Sequence, residues 1–140
     1  MSNLEVRKKD GSAFRFLLVD DSDFILKALR VTVKLLGGEV VGEASDGIQA
    51  VELYKKTRPD LVTCDIVMPN MGGVEVVQAL QSIDPASNIV MASSLGHQDI
   101  VKKAIDAGAK YFIVKPFKPA EAAVKLRTLL EKLYGLASAA

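Results

Sequence analysis

Short apolar segments alternate with longer amphipathic segments along the chain. A short apolar run predicts a buried strand, whereas apolar residues three or four positions apart predict a helix that buries one face. Strands are predicted at residues 14–19, 39–44, 61–64, 88–92 and 111–114. A helix is predicted after each strand, and these helices end near residues 37, 59, 83, 108 and 135, mostly at glycine or proline.

This succession of strand–helix units predicts an α/β fold. Because the predicted strands are too apolar to present a polar side to water, we expect a doubly wound, five-stranded parallel sheet with helices on both faces. The domain is predicted to span residues 13–135. Residues 1–12 form an N-terminal extension and residues 136–140 a C-terminal tail, and both ends are expected to be loosely attached.

The composition narrows the possible functions. The 140 residues include 18 Lys and Arg and 17 Asp and Glu, and this net charge of +1 argues against nucleic acid or a membrane as the main partner. No long apolar run predicts a signal peptide or a membrane span, so we expect a cytoplasmic protein. The lone Cys64 excludes disulfides within the chain and multi-cysteine zinc sites. The lone His97 argues against a Ser/His/Asp hydrolase.

Polar residues follow the predicted strands at the edge where ligands bind in open parallel sheets. Asp20 and Asp21 follow the first strand, Asp65 the third, Ser93 the fourth and Lys115 the fifth. The carboxyl ends of parallel strands lie at one edge of the sheet. We therefore expect these five side chains to converge, although almost a hundred positions separate the first from the last.

Each of these residues also has an ordinary structural interpretation. The acidic run at residues 20–23 could cap a helix, Asp65 could be a loop carboxylate, Ser93 a turn residue and Lys115 a solvated lysine. Together these interpretations fail, because three converging carboxylates repel one another unless a cation compensates them. Oxygen ligands of this kind suit Mg²⁺. The acidic first loop also argues against a nucleotide held by a glycine-rich loop.

Four motifs together resemble the receiver domain of two-component response regulators. They are FLLVDDS at residues 16–22, DIVMPNMGG at 65–73, Ser93 after Met91 and Ala92, and KPF at 115–117. The motifs occur in order over roughly residues 14–134. Among receivers, the chain is similar to the stand-alone chemotaxis regulators. This resemblance implies a flavodoxin-like fold with strand order 2-1-3-4-5 and five helices.

The resemblance also implies a role for each site residue. Asp65 is the expected phosphoacceptor, and Lys115 and Ser93 assist the transfer. The expected Mg²⁺ ligands are Asp20, Asp21, Asp65 and the backbone carbonyl of Val67.

The implied output is a switch rather than enzymatic turnover. Ser93 and Phe112 are the expected switch residues. The phosphoryl donor would be a CheA-like sensor histidine kinase, and the output partner a flagellar motor switch protein or a phosphatase. We expect a monomer or weak dimer. We also expect the protein to catalyse only its own phosphorylation and dephosphorylation.

Two other functions stay open on the sequence alone. A Mg²⁺-dependent phosphatase could use Asp65 as its nucleophile, although Val67 stands where such enzymes commonly want a second acid. Alternatively, a stand-alone receiver could act as a phosphate sink or a relay, or could have lost phosphorylation altogether.

Overall fold

A five-stranded parallel sheet forms the centre of the molecule in the computed structural model, which describes residues 4–137. The strands are β1 (Arg15–Val19), β2 (Glu39–Ala44), β3 (Leu61–Asp65), β4 (Ile89–Ser94) and β5 (Tyr111–Lys115). The helices are α1 (Asp23–Leu35), α2 (Gly47–Thr57), α3 (Gly73–Ile83), α4 (Gln98–Ala107) and α5 (Pro119–Leu133). These bounds lie close to the predicted ones.

Helices cover both faces of the sheet because successive strand residues point to opposite sides. Phe16 and Leu18 of β1 join the core under α1 and α5, and Leu17 and Val19 join the core under α2, α3 and α4. The predicted doubly wound α/β architecture is therefore confirmed. Between residues 4 and 137, no helix has both the length and the apolarity needed to cross a bilayer.

The strand order is β2-β1-β3-β4-β5, as the resemblance implies. The chain runs from β1 outward to β2, and then returns to the other side of β1 to form β3. Such a reversal leaves a crevice beyond the carboxyl ends of the two central strands. Val19 pairs with Cys64, so the next residues, Asp20 and Asp65, stand together at this crevice.

The expectation that no strand has a polar side is correct for the inner strands and wrong for the edges. All of β3 is buried, whereas Glu39 and Glu43 of β2 and Phe112 of β5 are exposed. An edge strand has only one neighbour, so its outer margin meets water. The apolar residues of β5 consequently include surface residues.

The part of the N-terminal extension that the structure describes, residues 4–12, is attached to the domain, contrary to expectation. Val6 is 8% exposed, and its N–H donates to the Leu36 carbonyl oxygen at 3.0 Å. Lys8 Nζ lies 2.8 Å from Asp60 Oδ2. The segment from residue 4 onward thus packs at the end of the sheet opposite the crevice. Residues 1–3 and 138–140 lie outside the described part of the chain.

This packing predicts the effect of truncating Val6. Val6→Ala removes two buried methyl groups and should lower the free energy of unfolding by roughly 1.5 kcal/mol in urea denaturation. Val124→Ala is the matched control, because Val124 is 51% exposed, and it should change stability by less than about 0.5 kcal/mol. Equal effects of the two substitutions would contradict the assignment of residue 6 to the core.

Candidate functional site

Three carboxylates meet at the crevice. One oxygen from each of Asp20, Asp21 and Asp65 lies within 4.8 Å of the other two. Asp20 and Asp65 are buried, and Asp21 is exposed. The convergence inferred from the strand ends is present for these three residues.

Lys115 joins the cluster from the end of β5. Its Nζ lies 2.7 Å from Asp20 Oδ2 and 3.0 Å from Asp65 Oδ1. The lysine side chain is 11% exposed, so both ion pairs are shielded from water. Lys115 is therefore a site residue, and the alternative of a solvated lysine is wrong.

The first loop orients Asp20. The Asp20 N–H donates to the Ala44 carbonyl oxygen at 3.0 Å and extends the pairing of β1 with β2. Asp20 Oδ1 accepts a hydrogen bond from the Ser22 N–H at 3.0 Å. Ser22, in turn, caps α1 by accepting from the Ile25 N–H at 3.3 Å. Asp20 thus has one oxygen fixed by the loop backbone and the other paired with Lys115.

Gly73 allows α3 to begin directly against Asp65. A Cβ atom at this position would overlap the Asp65 carbonyl oxygen and lie 2.9 Å from Ile66 Cα. The Gly73 N–H donates to the Ile66 carbonyl oxygen at 2.8 Å. In the sequence Gly73 is only the last residue of the motif at residues 65–73, because no local pattern indicates that a strand end approaches it.

Burial and charge set the acidity of the site. Burial raises the pKa of Asp65 to about 6, and the neighbouring Asp20 adds to the rise, while the hydrogen bond from Lys115 opposes it. Burial lowers the pKa of Lys115, but its hydrogen bonds to Asp20 and Asp65 outweigh this and leave the pKa raised. At neutral pH the lysine is charged and Asp65 is mainly ionised.

The donor set fits a divalent cation. Three carboxylates and one ammonium give a formal charge of −2, and all the converging donors are hard oxygens of the kind that bind Mg²⁺. The expected ligand on Val67 is a backbone carbonyl, so its apolar side chain is no obstacle. That side chain is 53% exposed at the rim.

Ser93 and Phe112 lie on the open side of the site. Ser93 is 3% exposed, and its Oγ donates to the Ser94 carbonyl oxygen at 3.1 Å. Phe112 is 43% exposed and is therefore not a core residue. Both residues line a cavity of about 230 Å³, together with Leu95 and Val101. An aromatic ring thus stands beside open space that adjoins the site hydroxyl.

Comparison with known proteins identifies the family. The family model for the response regulator receiver domain matches residues 16–127. The chain belongs to this family. Chemotaxis protein CheY of Thermotoga maritima is 48% identical to this receiver over 105 residues, which cover 75% of this chain and 88% of that protein. CheY of Bacillus subtilis is 48% identical over 106 residues, covering 76% and 88%.

Solved structures agree with this assignment. A chain of the CheX–CheY–BeF3–Mg²⁺ complex from Borrelia burgdorferi has a TM-score of 0.81 and 35% identity, covering 86% of this receiver and 92% of that chain. The response regulator domain of Thermotoga maritima CheB has a TM-score of 0.76 and 31% identity, covering 90% and 99%. The resemblance carried by the sequence motifs is confirmed at the level of family and fold.

The raised pKa of Asp65 predicts a pH dependence of stability without metal. Folding favours the neutral form of Asp65, so the stability it contributes is complete below pH 4 and is lost as pH rises through about 6. In EDTA, Asp65→Asn should therefore become increasingly more stable than wild type between these pH values, as measured by urea denaturation.

Asp84 is a control, because its contribution to stability should change with pH in the opposite direction to that of Asp65. The hydrogen bond from Tyr54 lowers the pKa of Asp84, so this residue contributes stability above its unfolded pKa and loses it as pH falls. Asp84→Asn should thus be less stable than wild type at neutral pH. A stability difference between Asp65→Asn and wild type that does not change from pH 4 to 7 would contradict the burial of an unfavourable charge at Asp65.

Proposed function

We propose that this receiver is a phosphorylation-dependent signalling switch. Asp65 accepts a phosphoryl group from the phosphohistidine of a CheA-like sensor histidine kinase, and the phosphorylated form binds its partner differently. The observation that carries this proposal is the Lys115 ammonium held between two buried carboxylates, at 2.7 Å and 3.0 Å, with Asp21 beside them. Phosphoryl transfer depends mainly on such positioning and charge neutralisation.

Asp65 is the nucleophile in the proposed step. One of its carboxylate oxygens forms a bond to phosphorus while the bond from phosphorus to the donor imidazole nitrogen breaks. The electron pair of the broken bond stays on that nitrogen, and an acyl phosphate forms on Asp65. A pKa of about 6 keeps the carboxylate ionised and available at neutral pH. Lys115 holds one Asp65 oxygen and offsets the negative charge of the incoming group.

Asp20, Asp21, Asp65 and the Val67 carbonyl would hold Mg²⁺ in this proposal. Bound Mg²⁺ supplies charge neutralisation at the phosphoryl oxygens. The family and the oxygen donor set both support this choice of metal.

Phosphorylation changes the charge that the open side of the site experiences. The phosphoryl group replaces one carboxylate charge with about two negative charges and adds hydrogen-bond acceptors. Ser93 can exchange its bond to the Ser94 carbonyl for one to the phosphoryl group. Phe112 then has a cavity of about 230 Å³ to enter, which would alter the surface of β5.

The altered surface is the proposed partner site. The proposed face combines exposed Phe112 of β5 with the exposed lysines Lys102 and Lys103 of α4 and Lys118 before α5. Chemotaxis proteins named CheY are among the relatives, which supports a role in chemotaxis or motility control. We propose a flagellar motor switch protein or a phosphatase as the partner, a cytoplasmic location, and a monomer or weak dimer.

Acetyl phosphate provides a direct test of the acceptor. With Mg²⁺, intact-protein mass spectrometry should detect a transient adduct of one phosphoryl group, which EDTA and Asp65→Asn both abolish. Asp84→Asn, which changes an acid outside the site, should keep the adduct. Turnover of unrelated phosphoesters without an adduct would instead support the phosphatase alternative, and the absence of any adduct would support a receiver that has lost phosphorylation.

A second test concerns the switch. Beryllofluoride with Mg²⁺ mimics the phosphoryl group and should shift the ring resonances of Phe112 in NMR spectra of the ¹³C-phenylalanine-labelled protein. Ser93→Ala should reduce this shift, because it removes the hydroxyl that is proposed to bond to the phosphoryl group. Ser94→Ala, which removes the neighbouring exposed hydroxyl, should preserve it. If beryllofluoride shifted the Phe112 resonances equally in wild type and in Ser93→Ala, the proposed coupling of Ser93 to Phe112 would be contradicted.

A further inference from the structure

The loop between β3 and α3 carries Val67 and leads away from the acceptor. Its base is closed by the hydrogen bond from the Gly73 N–H to the Ile66 carbonyl oxygen at 2.8 Å. A second backbone bond joins the Met71 N–H to the Pro69 carbonyl oxygen at 2.8 Å. Val67 directly follows Ile66 inside this closed loop, so contacts that fix the outer loop residues limit where its backbone can lie.

Asp46 supports the outer part of the loop while it caps α2. Its Oδ1 accepts a hydrogen bond from the Gln49 N–H at 2.9 Å, which is an ordinary N-cap. Its Oδ2 accepts from Asn70 Nδ2 at 3.2 Å, across 24 positions of sequence. Asn70 has a φ of 68°, a left-handed conformation that asparagine tolerates better than most residues. One carboxylate thus connects the start of α2 to the turn of the site loop.

Gly47 provides a second contact between the same two segments. A Cβ atom on Gly47 would lie 2.6 Å from both the Cβ and the carbonyl oxygen of Met71. Only the absence of a side chain lets the helix start approach the loop backbone this closely. Gly47 is buried, so this contact is part of the packed interior.

We infer that Asp46 is a positioning residue for the phosphorylation site. Through Asn70, and with Gly47 against Met71, it holds the β3–α3 loop in the conformation that presents Val67 to the metal. This inference rests on the proposed function, because it assigns Val67 the role of metal ligand. Loss of the Asp46–Asn70 bond should weaken Mg²⁺ binding although neither residue is a ligand. Partners that orient ligands typically change metal affinity about tenfold or more.

Asn70→Gly removes the bond without changing charge and without straining the left-handed backbone. We expect about tenfold weaker Mg²⁺ binding in isothermal titration calorimetry. The exchanged pair Asp46→Asn with Asn70→Asp keeps the net charge, an N-cap oxygen and a donor–acceptor pair across the gap. It should bind Mg²⁺ within about twofold of wild type.

Ser45→Ala is the matched control at the same helix terminus. Ser45 bonds to Gln49 Oε1 through its N–H at 3.1 Å and its Oγ at 3.2 Å, so the substitution weakens the start of α2 without removing a bond to the loop. If Asp46 only stabilised α2, Ser45→Ala and Asn70→Gly would change the Mg²⁺ affinity by the same amount. We expect Ser45→Ala to lower stability in urea but to leave Mg²⁺ affinity within about twofold.

The outcomes separate this inference from the proposed function. Unchanged Mg²⁺ affinity in Asn70→Gly, an equal loss in Ser45→Ala, or no recovery in the exchanged pair would each overturn the positioning role. A wild type that binds no Mg²⁺ would overturn it together with the metal site. If wild type binds Mg²⁺ and the variants behave as expected, but acetyl phosphate leaves no adduct on Asp65, then the proposed function fails and the positioning role stands.

Discussion

The ion pairs of Lys115 are the interaction on which the site depends. Parallel strands bring Asp20 and Asp65 to one crevice, where burial and the neighbouring Asp20 oppose the ionisation of Asp65. A buried ion pair repays its desolvation only when its geometry is good and its remaining hydrogen-bonding atoms are satisfied. Lys115 forms two short ion pairs, with contacts of 3.0 Å or less. The Ser22 N–H donates to Asp20 Oδ1, one of the remaining hydrogen-bonding atoms.

One side of the crevice is tightly packed, and the other side adjoins a cavity. On the packed side, β1 and β3 are inner strands, Gly73 packs against Asp65, and the N-terminus of α2 contacts the β3–α3 loop. On the open side, Ser93 and Phe112 adjoin a cavity at the edge strand β5. The proposed switch would use both sides, with a fixed acceptor that defines where the new charge appears and a movable surface that responds to it.

The sequence predicted those parts of the structure that depend on local pattern. Apolar runs located the strands, and acidic, hydroxyl or lysine residues at their ends located the site. It did not predict the exposed sides of β2 and β5, since edge positions follow from strand order and not from composition. The attached N-terminal segment did leave a local signal: Asp10–Gly11 is a turn dipeptide, and the Gly11 N–H donates to the Lys8 carbonyl oxygen at 2.9 Å.

Contacts between distant segments explain why the sequence alone indicates only a helix cap at Asp46. Its bond to Asn70 and the contact of Gly47 with Met71 join segments that no short-range pattern connects. A single sequence shows that an aspartate precedes a helix, and this suffices to explain the residue. The second role becomes apparent only when β2 and β3 are placed on either side of β1.

The residues around the crevice support the proposed role of Asp65 as a phosphoacceptor over that of a nucleophile in a hydrolytic enzyme. Val67 and Leu95 are 53% and 77% exposed, and neither carries an acid or base. A phosphatase that used Asp65 as nucleophile would need a group nearby to activate water against the acyl phosphate. Among the site residues described here, Asp20 is paired with Lys115, and Lys115 is held in its charged form. The ion pairs of Lys115 with Asp20 and Asp65 therefore support the acceptor role proposed for Asp65.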